Sequence, residues 1–232
     1  KEYFYEEEND SKGRILFEGE YLNGERNGKG KEFFYHRTSL LKYLFFDGMY
    51  VGEYLNGKRN GKGKEYDYFN NLVFEGDYLN GKRWNGKLKI YNGSKIFFEG
   101  DILNGEVTGK GKQYYLRGKL NFEGEYVNEC IWNGKSYEEE SNKEFEIKDG
   151  KGKGIQYDIY TGLTYKGEYL NGKGNGKGKQ FLDDKLVFEG EFLNGERNGK
   201  GKEFNYEGHY DKEPELFFEG EYLNGKKWNG KA

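Results

Sequence analysis

The chain has 232 residues, of which 34% are hydrophobic and 34% are charged, and its 38 basic and 41 acidic residues leave a net charge of −3. This hydrophobic content is too low for a thick globular core, whereas the aromatic content of 19% argues against disorder. The charge balance argues against nucleic acid as a partner, and no apolar run is long enough for a membrane span. The single cysteine, Cys130, excludes an internal disulfide framework and fits a reducing compartment.

The chain repeats itself from beginning to end. A half-unit over residues 1–16 begins with KEYFY, which matches KEFFY at residues 31–35. Complete units then open on an aromatic residue near positions 17, 50, 74, 98, 122, 165, 188 and 218. A degenerate unit occupies residues 145–154, and insertions lie at about residues 36–46 and 205–216. This periodicity predicts one continuous repeat array over residues 1–232.

The first complete unit, FEGEYLNGERNGKGKEF at Phe17–Phe33, predicts a β-hairpin. Its two ends alternate in the period of a strand, and the asparagine- and glycine-rich centre is typical of a turn, which we place at Asn23–Arg26. A register that satisfies both faces pairs these residues: Tyr21 with Gly28, Glu20 with Lys29, Gly19 with Gly30, and Glu18 with Lys31.

Cross-strand neighbours share a face, so one face of the hairpin carries rings over glycines and the other pairs glutamates with lysines. In the unit that opens at Tyr165, we expect Tyr169 to cover Gly176 and Gly178. The predicted fold is all-β: an elongated, single-layer, twisted antiparallel sheet of consecutive hairpins with about 16 to 18 strands. A single layer should leave its aromatic face open. We therefore expect a cover, either ring packing between twisted units, the insertion at Leu40–Phe46, a second array or a partner segment.

Three units carry a tryptophan near the turn, namely Trp84, Trp132 and Trp228. We interpret them as turns that are one residue longer than in the other units. A tryptophan at a hairpin tip packs on the neighbouring unit or recognises a partner, and packing is the commoner role of an aromatic side chain.

The pattern FEGEYLNGxxNGKGKEF resembles the MORN repeat (membrane occupation and recognition nexus), and the resemblance covers nearly the whole chain. It implies a row of β-hairpins in one sheet. It also implies a role in scaffolding and protein–protein contact, and in some members association with phospholipid membranes. Members of the family often carry a separate catalytic domain, and this sequence shows none.

Nothing in the sequence predicts catalysis or a cofactor. GKKWNGKA at residues 225–232 is one residue away from a phosphate-binding loop, but such a loop needs a strand before it and a helix after it. The paired glutamates recur in almost every unit beside lysines, as expected for solvated cross-strand pairs. His36 and His209 lie in different insertions, and no histidine lies near Cys130 in the sequence. We therefore expect a protein that is not an enzyme and has no cofactor or catalytic residue.

The predicted function is a non-catalytic scaffold for protein–protein interaction or assembly, with partner proteins or self-association and without nucleic acid. The alternatives are a peripheral module that binds anionic phospholipid, and the repeat region of a larger enzyme. The expected location is intracellular, in the cytoplasm or associated with a membrane or the cytoskeleton. The predicted interaction surface comprises Phe17, Tyr21, Tyr54, Phe74, Tyr78, Trp84, Phe122, Tyr126, Trp132, Tyr169, Phe188, Phe192, Tyr222 and Trp228.

Overall fold

The structure, a computed structural model, describes residues 1–4, 14–37, 44–141, 143–158, 161–206 and 214–231. These residues form β-strands and turns. The nineteen strands are β1 (Glu2–Phe4), β2 (Arg14–Leu22), β3 (Glu25–Arg37), β4 (Leu44–Leu55), β5 (Lys58–Asp67), β6 (Leu72–Leu79), β7 (Lys82–Asn92), β8 (Lys95–Leu103), β9 (Glu106–Tyr114), β10 (Leu120–Val127), β11 (Cys130–Tyr137), β12 (Glu144–Lys148), β13 (Lys151–Tyr157), β14 (Leu163–Leu170), β15 (Lys173–Leu182), β16 (Lys185–Leu193), β17 (Glu196–Asn205), β18 (Glu215–Leu223) and β19 (Lys226–Lys231).

The strands form one open antiparallel sheet of consecutive hairpins, which confirms the predicted fold class. The described residues contain more strands than the 16 to 18 predicted, because the leading half-unit supplies β1 and the degenerate unit supplies both β12 and β13. By internal contacts the chain divides into two compact units, Lys1–Val107 and Thr108–Ala232.

The hairpin turns are tighter than predicted. In the first hairpin, Asn23 and Gly24 have φ angles of 52° and 83°, and Leu22 pairs with Glu25. This is a two-residue turn with both central residues left-handed, the geometry that asparagine followed by glycine favours and that matches strand twist. The turn is therefore Asn23–Gly24, and the predicted turn at Asn23–Arg26 is wrong because Glu25 and Arg26 already belong to β3.

The predicted register holds at one end of the hairpin and fails at the other. Glu18 pairs with Lys31 and Gly19 with Gly30, as predicted, but Tyr21 pairs with Arg26 instead of Gly28. The register shifts between Gly19 and Tyr21, and Gly28 has a φ angle of 73°. A bulge at this glycine takes up the extra residues of β3, so the expected pairing of Glu20 with Lys29 is also wrong.

The tryptophans do not lengthen the turns. Trp84 lies in β7, Trp132 in β11 and Trp228 in β19, after two-residue turns like the others. Gly76 pairs with Gly86 as Gly19 pairs with Gly30, although the intervening chain is one residue shorter. The prediction of longer turns is therefore wrong: these units have a shorter bulge in the second strand.

The turns of neighbouring hairpins are tied together by the second asparagine of the repeat. In the first unit, the backbone N–H of Asn56 donates to Asn27 Oδ1 (3.4 Å), and that of Asn80 donates to Asn60 Oδ1 (3.3 Å). The backbone N–H of Gly81 also donates to the carbonyl oxygen of Arg59 (2.8 Å). These bonds fix the spacing of successive turns, which explains why asparagine recurs at the acceptor position, that of Asn27 and Asn60.

The aromatic rings cover one another. In the first unit, the ring of Phe17 contacts that of Tyr21 in its own hairpin and that of Tyr54 in the next, edge to face, with centroids 5.5 and 5.1 Å apart. Phe17 is 0% exposed and Tyr54 is 4% exposed. The expectation of an open aromatic face is therefore wrong, because bare glycines let the rings lie flat on the strands and neighbouring hairpins close over them. Of the expected covers, ring packing between units is the one observed; Leu40–Leu41 lie outside the described residues.

In the compact unit Thr108–Ala232, the ring of Tyr165 covers Gly178, and that of Tyr169 does not. A Cβ atom on Gly178 would lie 2.5 Å from the Tyr165 ring, whereas one on Gly176 would lie 2.2 Å from Glu168 Oε2. Tyr169 packs over Gly154 of the preceding hairpin. The predicted cover of Gly176 and Gly178 by Tyr169 is wrong because the bulge moves Tyr169 opposite Gly174.

The degenerate hairpin, β12–β13, has shorter strand pairing than the other hairpins of the compact unit Thr108–Ala232. β12 and β13 pair only at Ile147–Gly152 and Lys148–Lys151, after which they diverge. Polar side chains of β9, β10 and β11 bind the backbone of β13 instead: Ser136 Oγ accepts from the N–H of Ile155 (3.0 Å), Asn121 Oδ1 accepts from the N–H of Tyr157 (3.2 Å), and Gln113 Nε2 donates to the carbonyl oxygen of Tyr157.

Candidate functional site

The face of β13–β18 opposite the rings carries two parallel rows of charged side chains. Between the rows runs glycine backbone, because Gly167 pairs with Gly178, Gly178 with Gly190, and Gly190 with Gly201. The register of the strands defines both rows. The first row is Lys153, Glu168, Lys177, Glu191, Lys200 and Glu221, and the second row is Lys166, Lys179, Glu189, Lys202 and Glu219.

These two rows are the walls of a groove of about 850 Å³, which we call the charged groove. Lys143 and Phe145, at the start of β12, line it next to β13 and β14. The ring of Phe145 lies 5.5 Å from Lys166 Nζ and 5.4 Å from Lys143 Nζ, measured to the ring centroid. The lining residues all belong to the second unit.

The glutamates of the first row are held by the backbone of their own hairpins. The carboxylate of Glu168 accepts a hydrogen bond from the N–H of Lys177 (3.2 Å), and that of Glu191 accepts one from the N–H of Lys200 (2.8 Å). In each case the donor follows a bulged glycine, Gly176 or Gly199. These carboxylates stabilise the bulges, so part of their hydrogen-bonding capacity is already in use.

The second row contains ion pairs between neighbouring strands. Lys179 Nζ lies 2.9 Å from Glu189, and Lys202 Nζ lies 3.3 Å from Glu219. Lys166 pairs with Glu138, outside the groove lining. Lys153 and Lys177 of the first row are exposed and form no ion pair with another described residue. Ion pairs therefore compensate the positive charge of the second row more fully than that of the first row.

The ring face of the first unit carries a ladder of alternating charges that the sequence analysis missed. Arg26 pairs with Glu2 (2.7 Å) and Glu32 (2.6 Å), and Arg59 joins Glu32 (2.6 Å) to Glu65 (2.8 Å). The Arg26 guanidinium carbon lies 4.3 Å from the centroid of the Phe17 ring, which favours a cation–π contact. The signal was the arginine two residues after the NG turns at residues 23–24, 56–57 and 80–81; we had placed the first of these, Arg26, in the turn.

The ladder shifts the pKa of its carboxylates. The hydrogen bond from Arg26 is the main cause that lowers the pKa of Glu2 from 4.5 to about 2, against a smaller opposing effect of burial. Burial alone would raise the pKa of Glu32, but hydrogen bonds from Arg59 and Arg26 outweigh it, so this pKa is also lowered. Both carboxylates therefore favour the ionised form that the arginines bind.

The structure places most of the predicted interaction residues inside the sheet. Tyr21 is 42% exposed, and its hydroxyl donates to Glu2 Oε1 (2.6 Å). Trp228 is 71% exposed, and Trp84 and Trp132 are half-buried. That these side chains contact a partner stays a prediction. The buried members of the set are Phe17, Tyr54, Phe74, Tyr78, Phe122, Tyr126, Tyr169, Phe188, Phe192 and Tyr222.

The structure describes only some of the residues considered for catalysis. GKRWNGKL at residues 81–88, the other near match to a phosphate-binding loop, begins in a hairpin turn and continues into β7 without a helix. Within the described ranges, no three histidine, cysteine or carboxylate side chains are grouped as a metal would require. His209 lies outside those ranges. Among the residues that the structure describes, no helix could cross a membrane.

Comparison with known families identifies the repeats. The family model of the MORN repeat matches residues 17–35, 50–68, 165–184 and 188–205. Such repeats indicate a repeat protein of a kind that often takes part in protein or membrane interactions. A comparison with curated proteins found no match.

Proposed function

The chain carries MORN repeats, and from this premise we propose that it is a non-catalytic scaffold that holds an extended segment of a partner protein in the charged groove. The observation that carries the proposal is the groove itself, a recess of about 850 Å³ with a backbone floor and two charged walls. The rings on the opposite face of the sheet are buried against one another, so a partner cannot reach them in the same way.

The size of the groove suits an extended polypeptide. It runs across six neighbouring strands, from β13 to β18. At about 4.8 Å between strands it extends over roughly 24 Å, which is the length of about seven residues of extended chain. A segment of that length, lying across the strands, would have its side chains between walls that present both lysine and glutamate.

A peptide also suits the walls better than a membrane surface does. The side chains of the two walls project on either side of a recessed backbone floor. A narrow chain can enter this groove, whereas a planar bilayer cannot. Lysine and glutamate alternate along the first row, so the field of each lysine is partly cancelled by its neighbours. Strong attraction to an anionic bilayer needs several uncancelled basic residues close together at the surface.

Absence of catalysis is part of the proposal. The charged groups of the walls are repeated from hairpin to hairpin, whereas a catalytic site depends on one particular arrangement of acid, base or nucleophile. Glu168 and Glu191 have the same hydrogen bond to a backbone N–H, so they have the same structural explanation.

Selection of binding peptides tests the proposal. Displayed libraries of disordered 12-residue segments are selected against the folded chain, and the affinities of the isolated peptides are measured by fluorescence anisotropy. Lys200→Trp places a large ring in the groove without removing an ion pair seen in the described residues, and Lys226→Trp makes the same change at the start of β19, outside the groove lining. We expect Lys200→Trp to weaken binding at least about tenfold and Lys226→Trp to leave it unchanged.

Two results would contradict the scaffold proposal. One is a selection that yields no peptide, together with sedimentation of the chain by anionic vesicles but not by neutral ones, which favours the membrane alternative. The other is a set of peptides whose affinity is the same for the parent chain and Lys200→Trp, which places the binding surface elsewhere.

A further inference from the structure

One unit of the array reverses a charge at the wall of the groove. The residue after the opening aromatic is Lys166 in the unit that begins at Tyr165, where the other units have glutamate or, once, valine. The corresponding residues are Glu18, Val51, Glu75, Glu99, Glu123, Glu189 and Glu219. The family pattern therefore does not account for this lysine, and it lies in the groove lining.

The fold gathers other lysines around this position. Lys179 lies directly opposite Lys166 in the sheet, so two cations adjoin in the second row where the other pairs of that row are lysine and glutamate. Lys153 and Lys177 belong to the facing row, and Lys143 lines the end of the groove beside Phe145. We call these five residues, Lys143, Lys153, Lys166, Lys177 and Lys179, the lysine cluster.

Nearby carboxylates compensate only part of this charge. Glu138 pairs with Lys166, and Glu189 pairs with Lys179. Glu168, which lies opposite Lys153, is hydrogen-bonded to the backbone of its own bulge. Lys143, Lys153 and Lys177 are exposed and have no ion pair within the described residues. The groove lining as a whole contains seven lysines and five glutamates, and the excess lies at the β12–β15 end.

We propose that the lysine cluster is a subsite for acidic side chains, so that the segment held in the groove carries aspartate or glutamate residues where it lies over β12–β15. The inference rests on the proposed function, since it names the chemistry of the segment that the groove holds. Charge complementarity selects this occupant: a basic segment meets like charges here, and like-charge contacts suppress wrong partners. The three ammonium groups without an ion pair lie on one wall (Lys153 and Lys177) and at the end of the groove (Lys143), so they can contact an extended chain from two sides.

Peptides of equal length and opposite charge test the inference. The probes are 12-residue peptides that alternate glutamate with serine, lysine with serine, or glycine with serine, measured by fluorescence anisotropy at 50 and 300 mM salt. We expect the acidic peptide to bind at least about tenfold more tightly than the basic one, and its affinity to fall at the higher salt concentration because exposed charges are screened.

Variants locate the subsite. Lys153 and Lys177 have no ion pair to lose, so the double variant Lys153→Gln, Lys177→Gln removes both ammonium groups without placing a new carboxylate opposite Glu168 or Glu191. We expect it to weaken acidic-peptide binding about tenfold or more. The matched control is Lys173→Gln, in the same strand as Lys177 but outside the groove lining, which should change the affinity less than about twofold.

The outcomes separate this inference from the proposed function. If neutral or basic peptides bind as tightly as the acidic one, and Lys200→Trp abolishes that binding, the groove holds a segment but the acid preference is wrong. If none of the peptides binds and the library selection also fails, the proposed function itself is wrong. If vesicles that contain phosphatidylserine bind and the acidic peptide does not, the lysines serve a lipid headgroup and the acidic-peptide inference is overturned.

Discussion

The carboxylate of Glu191 accepts a hydrogen bond from the backbone N–H of Lys200, with 2.8 Å between Oε2 and N. Glu53 and Lys62 make the same contact at 3.0 Å, and Glu168 and Lys177 make it at 3.2 Å. In these three hairpins the second glutamate of the repeat therefore stabilises the bulge of its own hairpin.

We predict that Glu191→Gln destabilises the β16–β17 hairpin by about 1 kcal/mol, because a charged acceptor becomes a neutral one. Hydrogen exchange of the Lys200 amide measures the effect at the bond itself. The control is Glu189→Gln, which removes an exposed ion pair with Lys179 and should cost about 0.5 kcal/mol or less. Equal protection of the Lys200 amide in both variants would contradict this role of Glu191.

Two glycines of one hairpin separate backbone strain from steric conflict. Gly195 and Gly199 have φ angles of 91° and 89°, but a Cβ on Gly195 meets no atom within 4 Å, whereas one on Gly199 lies 2.2 Å from Glu191 Oε2. We expect Gly195→Ala to cost about 1 kcal/mol, from the left-handed backbone alone. Gly199→Ala should cost about 2 kcal/mol or more, because it also displaces the Glu191 carboxylate. Urea denaturation compares the free energies of unfolding of the two variants. Equal decreases would show that the Glu191 carboxylate is not fixed at the bulge.

The sequence predicts the parts of the fold that depend on alternation. It correctly places Glu18 opposite Lys31 and Gly19 opposite Gly30, because a slip by one residue would put charges among the rings. It cannot place Tyr21, since alternation does not reveal that Gly28 takes a φ angle of 73° and absorbs extra residues.

The functional surface was harder to predict than the strands. Along the sequence, the lysines that line the groove are interspersed with glutamates, so their positive charges are cancelled in a count of net charge. The uneven distribution arises when neighbouring strands bring Lys166 beside Lys179 and when Glu168 is engaged by the backbone of Lys177. Likewise, the arginines of the charge ladder contact glutamates six residues away and also glutamates 18 to 27 residues away, and the pattern within a single repeat does not reveal the second kind of contact.

The charge ladder of the first unit should contribute measurably to stability. Arg59 bridges Glu32 and Glu65 and lies 4.7 Å from the centroid of the Tyr50 ring. We expect Arg59→Met to cost about 2 kcal/mol, between the values for exposed and buried ion pairs, because it leaves two partly buried carboxylates with fewer partners. Arg117→Met, which breaks an exposed pair with Glu140, should cost about 0.5 kcal/mol or less. Hydrogen exchange of the backbone amides of β3–β5 measures the effect of Arg59→Met. Losses of stability of the same size in both variants would contradict the ladder's role.

Acid should weaken the same ladder. The pKa of Glu32 is lower in the folded chain than its ordinary value of 4.5, so folding favours its ionised form. Its contribution to stability is present above the unfolded pKa and is lost as the pH falls from there through the lowered folded pKa. We predict that urea unfolding curves of the parent chain and Glu32→Gln converge as the pH is lowered from 6 towards 2. A difference that stays constant over this range would show that Glu32 ionisation is not linked to folding.

The central claim is that a partner segment occupies the charged groove while the rings remain internal. The most direct measurement is NMR of the chain with its lysine amines labelled by ¹³C-methylation, titrated with a peptide from the library selection. The account predicts that signals of the groove lysines shift, including Lys153, Lys177 and Lys200, while those of lysines next to hairpin turns outside the groove, such as Lys58 and Lys226, do not. Shifts confined to lysines outside the groove would contradict it.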